Sequence, residues 1–341
     1  MKQMKSLIVL TAVALAATAC SDHESLPDNT PNGNAILFGT TVEVETKAAV
    51  TGKNIPNGDK VGIYALKDAI SPTWAASDNL MDNVPATSDG AGTLSYSPLK
   101  EYAENNLHNF YAYYPYTAAS LDEDGIKVPQ AGVAPKLQVT LKKTPAEQLD
   151  YMYAEPILNY KRDKEAVASI VPQKLVFKHA LTQIRFKFKN GEESNKVSLV
   201  KIEVKDQDKG TMDITNGSWS GLTATGSEGN TFTFYQWAAP EEVAGKAEVD
   251  ISGQLMLFPK ADMTNNTDLT IVLSMKDNTG ADKTSTIIPK VPASGLAAGK
   301  SYLYTLIYNE AGKDHISLSA EVVDWVEATG GDLPAIPNPS N

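Results

Sequence analysis

Apolar and polar side chains alternate along many short segments of this chain, and this period of two limits the folds that it can adopt. Successive side chains of a β-strand point to opposite faces, so alternation predicts a strand with one buried face, whereas an amphipathic helix repeats every ~3.6 residues. The clearest alternating sets are Ile36, Phe38, Val42 and Val44; Leu137, Val139 and Leu141; Ile184, Phe186 and Phe188; and Leu269, Ile271, Leu273 and Met275. Helical repeats are scarce, so we expect an all-β protein.

Further strand candidates are separated by residues that favour turns. Glycine, asparagine, aspartate and proline recur between them, for example at residues 56–59 and 124–125. These further candidates cover residues 61–66, 110–114, 202–205, 231–237, 249–258, 302–308 and 316–323. Many short strands with such punctuation are typical of stacked β-sandwiches.

Chain length and a break in the apolar pattern indicate two domains. The chain has 341 residues, and one domain takes roughly 150. A charged stretch between residues 160 and 172 interrupts the alternation. We expect an N-terminal β-sandwich domain over residues 35–168 and a C-terminal β-sandwich domain over residues 169–341. The polar segment of residues 20–34, rich in proline, asparagine and acidic residues, is expected to be a flexible tether.

The first nineteen residues are organised as a bacterial export signal. Lys2 and Lys5 precede an apolar run over residues 6–16 that is too short to span a bilayer. Small residues then lead to Cys20, in a pattern similar to the lipobox, where the cysteine is acylated and the chain is cut just before it. Because Cys20 is the single cysteine, no disulfide can form within the chain. We expect lipidation at Cys20 and attachment to a membrane through acyl chains; the alternative is an incidental thiol in a discarded peptide.

The charge of the chain argues against binding to nucleic acid. The formal net charge is −11, and the predicted signal contains two lysines and no acidic residue, so the mature chain would be more negative. A negative protein repels a phosphate backbone at long range.

Motifs for phosphate and metal binding are incomplete. Residues 295–301 (GLAAGKS) end as a phosphate-binding loop does, but Ser294 replaces its first glycine and a strand is expected to follow. We interpret the segment as a turn that enters this strand. The acidic clusters at residues 122–125 and 206–210 are interpreted as hairpin turns, because a calcium loop starting at Asp206 would need glutamate where Gly217 stands.

The sequence also contains no convincing nucleophile or imidazole pair. In residues 217–221 (GSWSG), tryptophan occupies the position that a nucleophilic serine would take. The histidines are not spaced as metal ligands; they are His23, His108, His179 and His315. We therefore expect no catalytic residue, metal or cofactor, and a protein that is not an enzyme.

Several strings that flank the predicted strands together resemble the fimbrillin family of Bacteroidetes. They are residues 36–38 (ILF), 46–48 (TKA), 57–64 (NGDKVGIY), 110–115 (FYAYYP), 150–154 (DYMYA), 177–181 (FKHAL), 298–302 (AGKSY) and 324–325 (DW). The resemblance covers nearly the whole chain and rests on the order and spacing of these strings. It implies two transthyretin-like β-sandwich domains in tandem, export to the outer membrane, and polymerisation with other fimbrial subunits by strand exchange.

The resemblance also implies that a trypsin-like surface protease removes the first strand. The matching position is Lys47, followed by Ala48, with Lys53 as a second choice. Loss of this strand would remove its four apolar side chains, each of which contributes about 1.5 to 3 kcal/mol when buried. The groove left behind would be a natural acceptor for a donated strand. The donor candidate carries Ile316, Leu318, Ala320 and Val322.

Two alternatives stay open at this point. Lys47 would be an ordinary solvated residue in an anchor or tip subunit that keeps its leader, and three prolines after residue 332 weaken the donor end. A non-polymerising surface lipoprotein that binds glycans is the other possibility, since sugars stack on indole rings. Its candidate platform residues are Trp74, Trp219, Trp237 and Trp325.

Overall fold

The computed structural model describes residues 33–43, 54–67, 74, 79–118, 124–127, 133–162, 171–225, 230–261, 269–289, 295–309 and 316–323. Within these ranges the chain forms twenty β-strands and one short 3₁₀ helix, Pro145–Glu147. The predicted all-β class is therefore confirmed. No helix in the described part of the chain has the length and apolar character needed to cross a membrane.

Eight strands form a sheet that closes into a ring. They are β1 (Phe38–Val42), β2 (Lys60–Lys67), β3 (Asn79–Ser88), β4 (Thr93–Ser95), β5 (His108–Tyr114), β8 (Met152–Ala154), β9 (Ile157–Tyr160) and β10 (Gln173–His179). Hydrogen-bonded neighbours follow the order β2-β3-β4-β1-β10-β8-β5, and β5 also pairs with β2, which joins the two ends. β9 adds a further pairing to β5.

The inner faces of the ring strands form an apolar core. On β2, the side chains of Val61, Ile63 and Ala65 are fully buried in this core. Tyr64 and Leu66, which alternate with them, are buried in a second core outside the ring. β2 is therefore covered on both faces, which explains why residues 61–66 read as a continuous apolar run.

Two four-stranded sheets contribute to the second core. One has the order β16-β11-β19-β20 and the other β15-β12-β17-β18. Their strands are β11 (Thr182–Asn190), β12 (Val197–Lys205), β15 (Thr231–Val243), β16 (Glu248–Leu257), β17 (Thr270–Lys276), β18 (Asp282–Ile287), β19 (Ser301–Tyr308) and β20 (Ile316–Val323). The predicted alternating sets of β11 and β17 supply buried side chains to this core, as period-two patterning requires.

A fourth sheet, also of four strands, connects the two halves of the chain. It has the order β14-β13-β7-β6, formed by β6 (Gly125–Lys127), β7 (Lys136–Thr140), β13 (Lys209–Asp213) and β14 (Trp219–Thr223). β7 thus pairs with a strand from beyond residue 168, while β10, also beyond that point, completes the ring. The expected domain boundary at 168/169 lies outside the described residues. The division into two transthyretin-like domains stays a prediction, and backbone pairing crosses it in both directions.

Candidate functional site

The first strand, β1, occupies the gap between β4 and β10. It runs parallel to β10 over its whole length, with Phe38 opposite Gln173 and Val42 opposite Phe177, and antiparallel to β4. The Thr40 N–H donates to the Gly92 carbonyl oxygen at 2.8 Å. Both edges of β1 are thus occupied by backbone partners, and we call the space that it fills the acceptor groove.

The apolar side chains predicted on this strand fill the core of the ring. Ile36 and Phe38 are fully buried, Val42 is 3% exposed, and Thr40 lies between them, also buried. The Phe38 ring packs edge-on against Phe110, with centroids 5.5 Å apart. The predicted burial of Ile36, Phe38 and Val42 is thus confirmed, and Val44 lies outside the described residues.

Backbone and ionic contacts hold both ends of β1. At its start, the Tyr96 hydroxyl donates to the Ile36 carbonyl oxygen at 2.7 Å. Beyond its end, the Lys178 ammonium lies 2.5 Å from a Glu155 carboxylate oxygen and 3.2 Å from one of Glu43. The Glu155 and Glu43 carboxylates raise the pKa of Lys178. The lipidation and cleavage candidates Cys20, Lys47, Ala48 and Lys53 lie outside the described residues.

The predicted donor strand, β20, is held differently. It pairs antiparallel with β19 from Ile316 opposite Tyr308 to Val323 opposite Ser301, and within the described residues it has no second neighbour in its sheet. Ile316 is 8% exposed, Leu318 is half-buried and Val322 is 39% exposed. One face of β20 is therefore only partly covered.

The two strands carry apolar side chains in a similar order. Reading from the N-terminal end, the inward positions of the first strand are Ile36, Phe38, Thr40 and Val42. The corresponding alternating positions of β20 are Ile316, Leu318, Ala320 and Val322. In both series two large side chains come first, then a small one, then valine.

The walls of the acceptor groove were not predicted from sequence. β4 has three residues, too few to show alternation, and supplies the buried Leu94. β10 supplies Leu175 and Phe177, both fully buried. Its alternation over residues 173–179 was a usable signal, although the sequence does not indicate that β1 is its partner.

The incomplete motifs have structural roles. Residues 295–300 form a turn and bridge that enter β19, as predicted. The Asp206 and Asp208 carboxylates contact different lysines. Asp206 lies 2.7 Å from the Lys260 Nζ, and Asp208 lies 2.5 Å from the Lys143 Nζ. Among the described residues, no three His, Cys, Asp or Glu side chains are grouped as metal ligands.

The two described histidines lie in separate places. His108 is fully buried in the ring, its Nε2 accepts the Ala103 N–H at 3.0 Å, and burial lowers its pKa. The Nδ1 of His179 lies 2.5 Å from a carboxylate oxygen of Asp150 at the end of β10. His23 and His315 lie outside the described residues.

The tryptophans are not gathered into one platform. Trp74 is 5% exposed and packs against Tyr111. The indole of Trp219 donates to the Ala180 carbonyl oxygen at 2.7 Å. Trp237 is half-exposed beside Tyr235, with ring centroids 4.7 Å apart. Trp325 lies outside the described residues.

One cavity of about 350 Å³ lies at the entry to β1. Its lining includes Asn34, Tyr102, Lys161 and Arg162. The Arg162 guanidinium lies 5.2 Å above the Tyr102 ring. The lining contains neither a nucleophile with an adjacent base nor a metal-ligand set, so its chemistry does not indicate catalysis.

The family model described as fimbrillin-like matches residues 46–325. No curated protein matches the chain significantly in sequence.

Solved structures with a similar fold include three from Bacteroides species. A fimbrial protein from Bacteroides vulgatus aligns with a TM-score of 0.58 at 15% identity, covering 86% of this chain and 100% of that one. A protein from Bacteroides ovatus, provisionally assigned to cell adhesion, aligns with a TM-score of 0.56 at 18% identity, covering 86% and 99%. Another such protein, from Bacteroides uniformis, aligns with a TM-score of 0.52 at 18% identity, covering 87% and 100%.

Proposed function

Because the chain belongs to the fimbrillin-like family, we propose that it is a structural subunit of a cell-surface fimbria that assembles by strand exchange. The observation that carries this proposal is the place of β1. The strand lies between two partners in a closed ring, yet its only covalent link to β2 passes through residues 43–59. A cut after Lys47, or alternatively after Lys53, would leave β1 bound by non-covalent contacts alone.

Departure of β1 would create a site that favours another strand. The facing edges of β4 and β10 would lose their hydrogen-bond partners, and the apolar side chains of Leu94, Leu175 and Phe177 would meet water. Unpaired backbone edges beside an apolar groove are the features that strand addition satisfies.

The side-chain order of β20 makes a second copy of this chain a suitable donor. If β20 entered in the same direction as β1, Leu318 would fill the Phe38 site and Ala320 the Thr40 site. In the opposite direction, Ala320 would leave the Phe38 site largely empty, and Leu318 would overfill the Thr40 site. Voids and overpacking both destabilise a core, so the same direction is favoured.

Exchange would also improve the environment of the donor. β20 has backbone partners on one edge in its own sheet, and Val322 is 39% exposed. In the acceptor groove it would gain partners on both edges and bury its apolar face completely. Each ~40 Å² of apolar surface newly buried contributes about 1 kcal/mol.

Export, lipidation and maturation complete the proposal. Acylation of Cys20 would hold the precursor at the outer membrane, and a trypsin-like surface protease cutting after Lys47 would release it from this anchor. One cleavage would then open the groove and free the subunit. A subunit that is never cut would instead serve as a membrane-held anchor of the fibre.

N-terminal sequencing of subunits recovered from surface fibres tests this proposal. We expect chains that begin at Ala48 or Asn54, while unassembled precursor retains the first strand. Replacing both Lys47 and Lys53 by alanine should leave lipidated monomers and few fibres. Fibres whose subunits all still begin at Cys20 would exclude exchange of this strand.

A matched pair of donor variants tests the role of β20. Leu318→Asp places a charge on the side that would enter the groove, whereas Ser319→Asp places one on the opposite, exposed side. We expect the first variant to abolish fibre growth and the second to leave it nearly unchanged. Equal growth of both variants would contradict donation by this strand.

A further inference from the structure

An ion pair between Lys260 and Asp206 is almost completely removed from solvent. The Lys260 Nζ lies 2.7 Å from the Asp206 Oδ1, and the two side chains are 5% and 0% exposed. Asp206 directly follows β12, and Lys260 lies just beyond the end of β16. These strands belong to different sheets of the second core, so the pair connects the two sheets.

The backbone holds both partners in position. Lys260 and Leu296 exchange two backbone hydrogen bonds, each of 2.8 Å. The Asp206 N–H donates to the Asn230 carbonyl oxygen at 3.0 Å. Phe258 and Leu296 beside Lys260 are fully buried. The amine and the carboxyl group are therefore kept in contact at a site from which bulk water is excluded.

Such a pair is costly to keep ionised. Transfer of two charges out of water carries a desolvation penalty that their mutual attraction often fails to offset. The neighbouring pair of Lys143 and Asp208 differs, because the Lys143 side chain is 38% exposed and stays hydrated. Of these two pairs, that of Lys260 and Asp206 is the one in which conversion into a neutral link would remove two buried charges.

We propose that Lys260 and Asp206 condense into an intramolecular isopeptide bond. Proton transfer from the ammonium to the carboxylate within the pair gives an amine and a carboxylic acid. The nitrogen lone pair then attacks the Asp206 Cγ, a C–N bond forms, and the C–O bond to the hydroxyl group breaks. The leaving hydroxyl takes a proton from the nitrogen and departs as water, so the reaction involves no oxidation or reduction.

Two features of the site assist this step. Asp206 Oδ1 accepts the Gln207 backbone N–H at 2.7 Å, and this donor would stabilise negative charge that develops on the oxygen during attack. Fixing the amine against the carboxyl group replaces an encounter in solution by a reaction within one molecule, which raises its rate greatly. The product is a covalent cross-link between the two sheets that bear β12 and β16, closing a loop over residues 206–260.

Peptide mapping of the full-length wild-type protein tests the proposal. Tandem mass spectrometry of a proteolytic digest should identify one branched peptide that contains both Asp206 and Lys260. Its mass should be lower, by one water, than the sum of the two linear peptides. Recovery of the two linear peptides without the branched product would overturn the proposal, as would a water loss located instead at a cyclised Asp-Gly sequence such as residues 89–90.

Three variants separate a covalent link from a purely ionic role. Lys260→Arg keeps the positive charge but should give no branched peptide. Asp206→Asn removes the negative charge, yet it should give the same branched peptide as the wild type, because ammonia leaves in place of water. Lys143→Arg is the matched control at the exposed pair and should keep the branched peptide. Should a variant fail to fold, the wild-type digest still decides the question.

Discussion

The strands β1 and β20 have similar side-chain patterns but very different surroundings. β1 is bonded along both edges, and its inward side chains, from Ile36 to Val42, are at most 6% exposed. Among the described strands, β20 lies at the end of its sheet and pairs along one edge, and Val322 is 39% exposed. The same series of two large side chains, a small one and valine is thus buried in the first strand and only partly buried in β20.

This difference predicts that β1 contributes more than β20 to the free energy of unfolding and that β20 detaches more readily. Removal of an interior strand of a closed ring breaks two ladders and opens a core, whereas an edge strand can leave after breaking one. A chain that assembles by strand exchange would need this asymmetry. β1 would have to stay bound until the chain is cut, and β20 would have to be able to detach from its own sheet.

The largest expected effect comes from truncating matched side chains on the two strands. In the uncut chain, Phe38→Ala should lower the free energy of unfolding by about 3 to 5 kcal/mol, because a fully buried aromatic ring is lost. Leu318→Ala should cost less than about 2 kcal/mol, because its side chain is only half-buried. Urea denaturation of both variants measures the two values. Equal losses would mean that β20 is packed as tightly as β1.

A smaller effect on stability is expected at the third position of each series, which is Thr40 in β1 and Ala320 in β20. Thr40→Leu should destabilise the uncut chain by about 1 to 3 kcal/mol through overpacking, whereas Ala320→Leu should change its stability by about 0.5 kcal/mol or less. In a fibre-growth assay, however, Ala320→Leu should slow assembly, because the added bulk would have to fit the Thr40 site of the next subunit.

Thr40→Val is the control for that comparison. The Thr40 Oγ1 is buried and makes no hydrogen bond, so replacing the hydroxyl by a methyl group should be neutral or stabilising. If Ala320→Leu assembled as fast as the wild type, the direction and register proposed for β20 would be wrong, while strand exchange in another register would remain to be tested.

The sequence predicts β1 and β20 better than the strands that surround them. Both strands were identified because alternation over several residues is a local signal. The sequence does not predict β3, because Pro85 interrupts its alternating pattern. In the structure, Pro85 is nevertheless part of this strand and lies opposite Gly62 of β2. Closure of the ring depends on pairing between residues such as Phe38 and Gln173, far apart in sequence. Such pairing is set by the packing of the whole core, so periodicity cannot reveal it.

A change of pH should affect the two strands unequally. The buried His108 lies in β5, a strand of the same ring as β1. Its Nε2 must be unprotonated to accept the Ala103 N–H. Burial lowers the pKa of His108, so below about pH 6.5 the unfolded chain binds a proton that the folded chain does not, and stability falls as the pH decreases. One proton accounts for at most about 1.4 kcal/mol per pH unit.

Urea denaturation at neutral and mildly acidic pH, compared between wild type and His108→Gln, measures this effect. The variant should lose less stability on acidification, whatever its stability at neutral pH. β19 and β20 contain no histidine, so amide exchange in β20 should show no matching change between the two proteins. Parallel pH dependences of wild type and variant would exclude His108 as the titrating group.

The smallest expected effect concerns the ionic contact at the end of β1. Lys178→Gln removes the pairs with Glu43 and Glu155, and because the Lys178 side chain is 33% exposed, the loss should be below about 1 kcal/mol. The two carboxylates raise the pKa of Lys178, so this contribution is fully present at neutral pH. It should disappear only as the pH rises above about 10.4 and through the folded value.

The loss should be local, because Glu43 lies just beyond β1 and its N–H donates to the Phe177 carbonyl oxygen at 2.8 Å. Hydrogen exchange of that amide should accelerate in Lys178→Gln, and concentrated salt should reduce the difference from wild type by screening the pair. Lys187→Gln is the matched control, since Lys187 lies 3.4 Å from carboxylate oxygens of Glu248 and Asp250 on a strand pair remote from β1. If both variants left the Glu43 amide unchanged, the ion pairs of Lys178 would not contribute to holding the end of β1, and its backbone pairing with β10 would account for the protection.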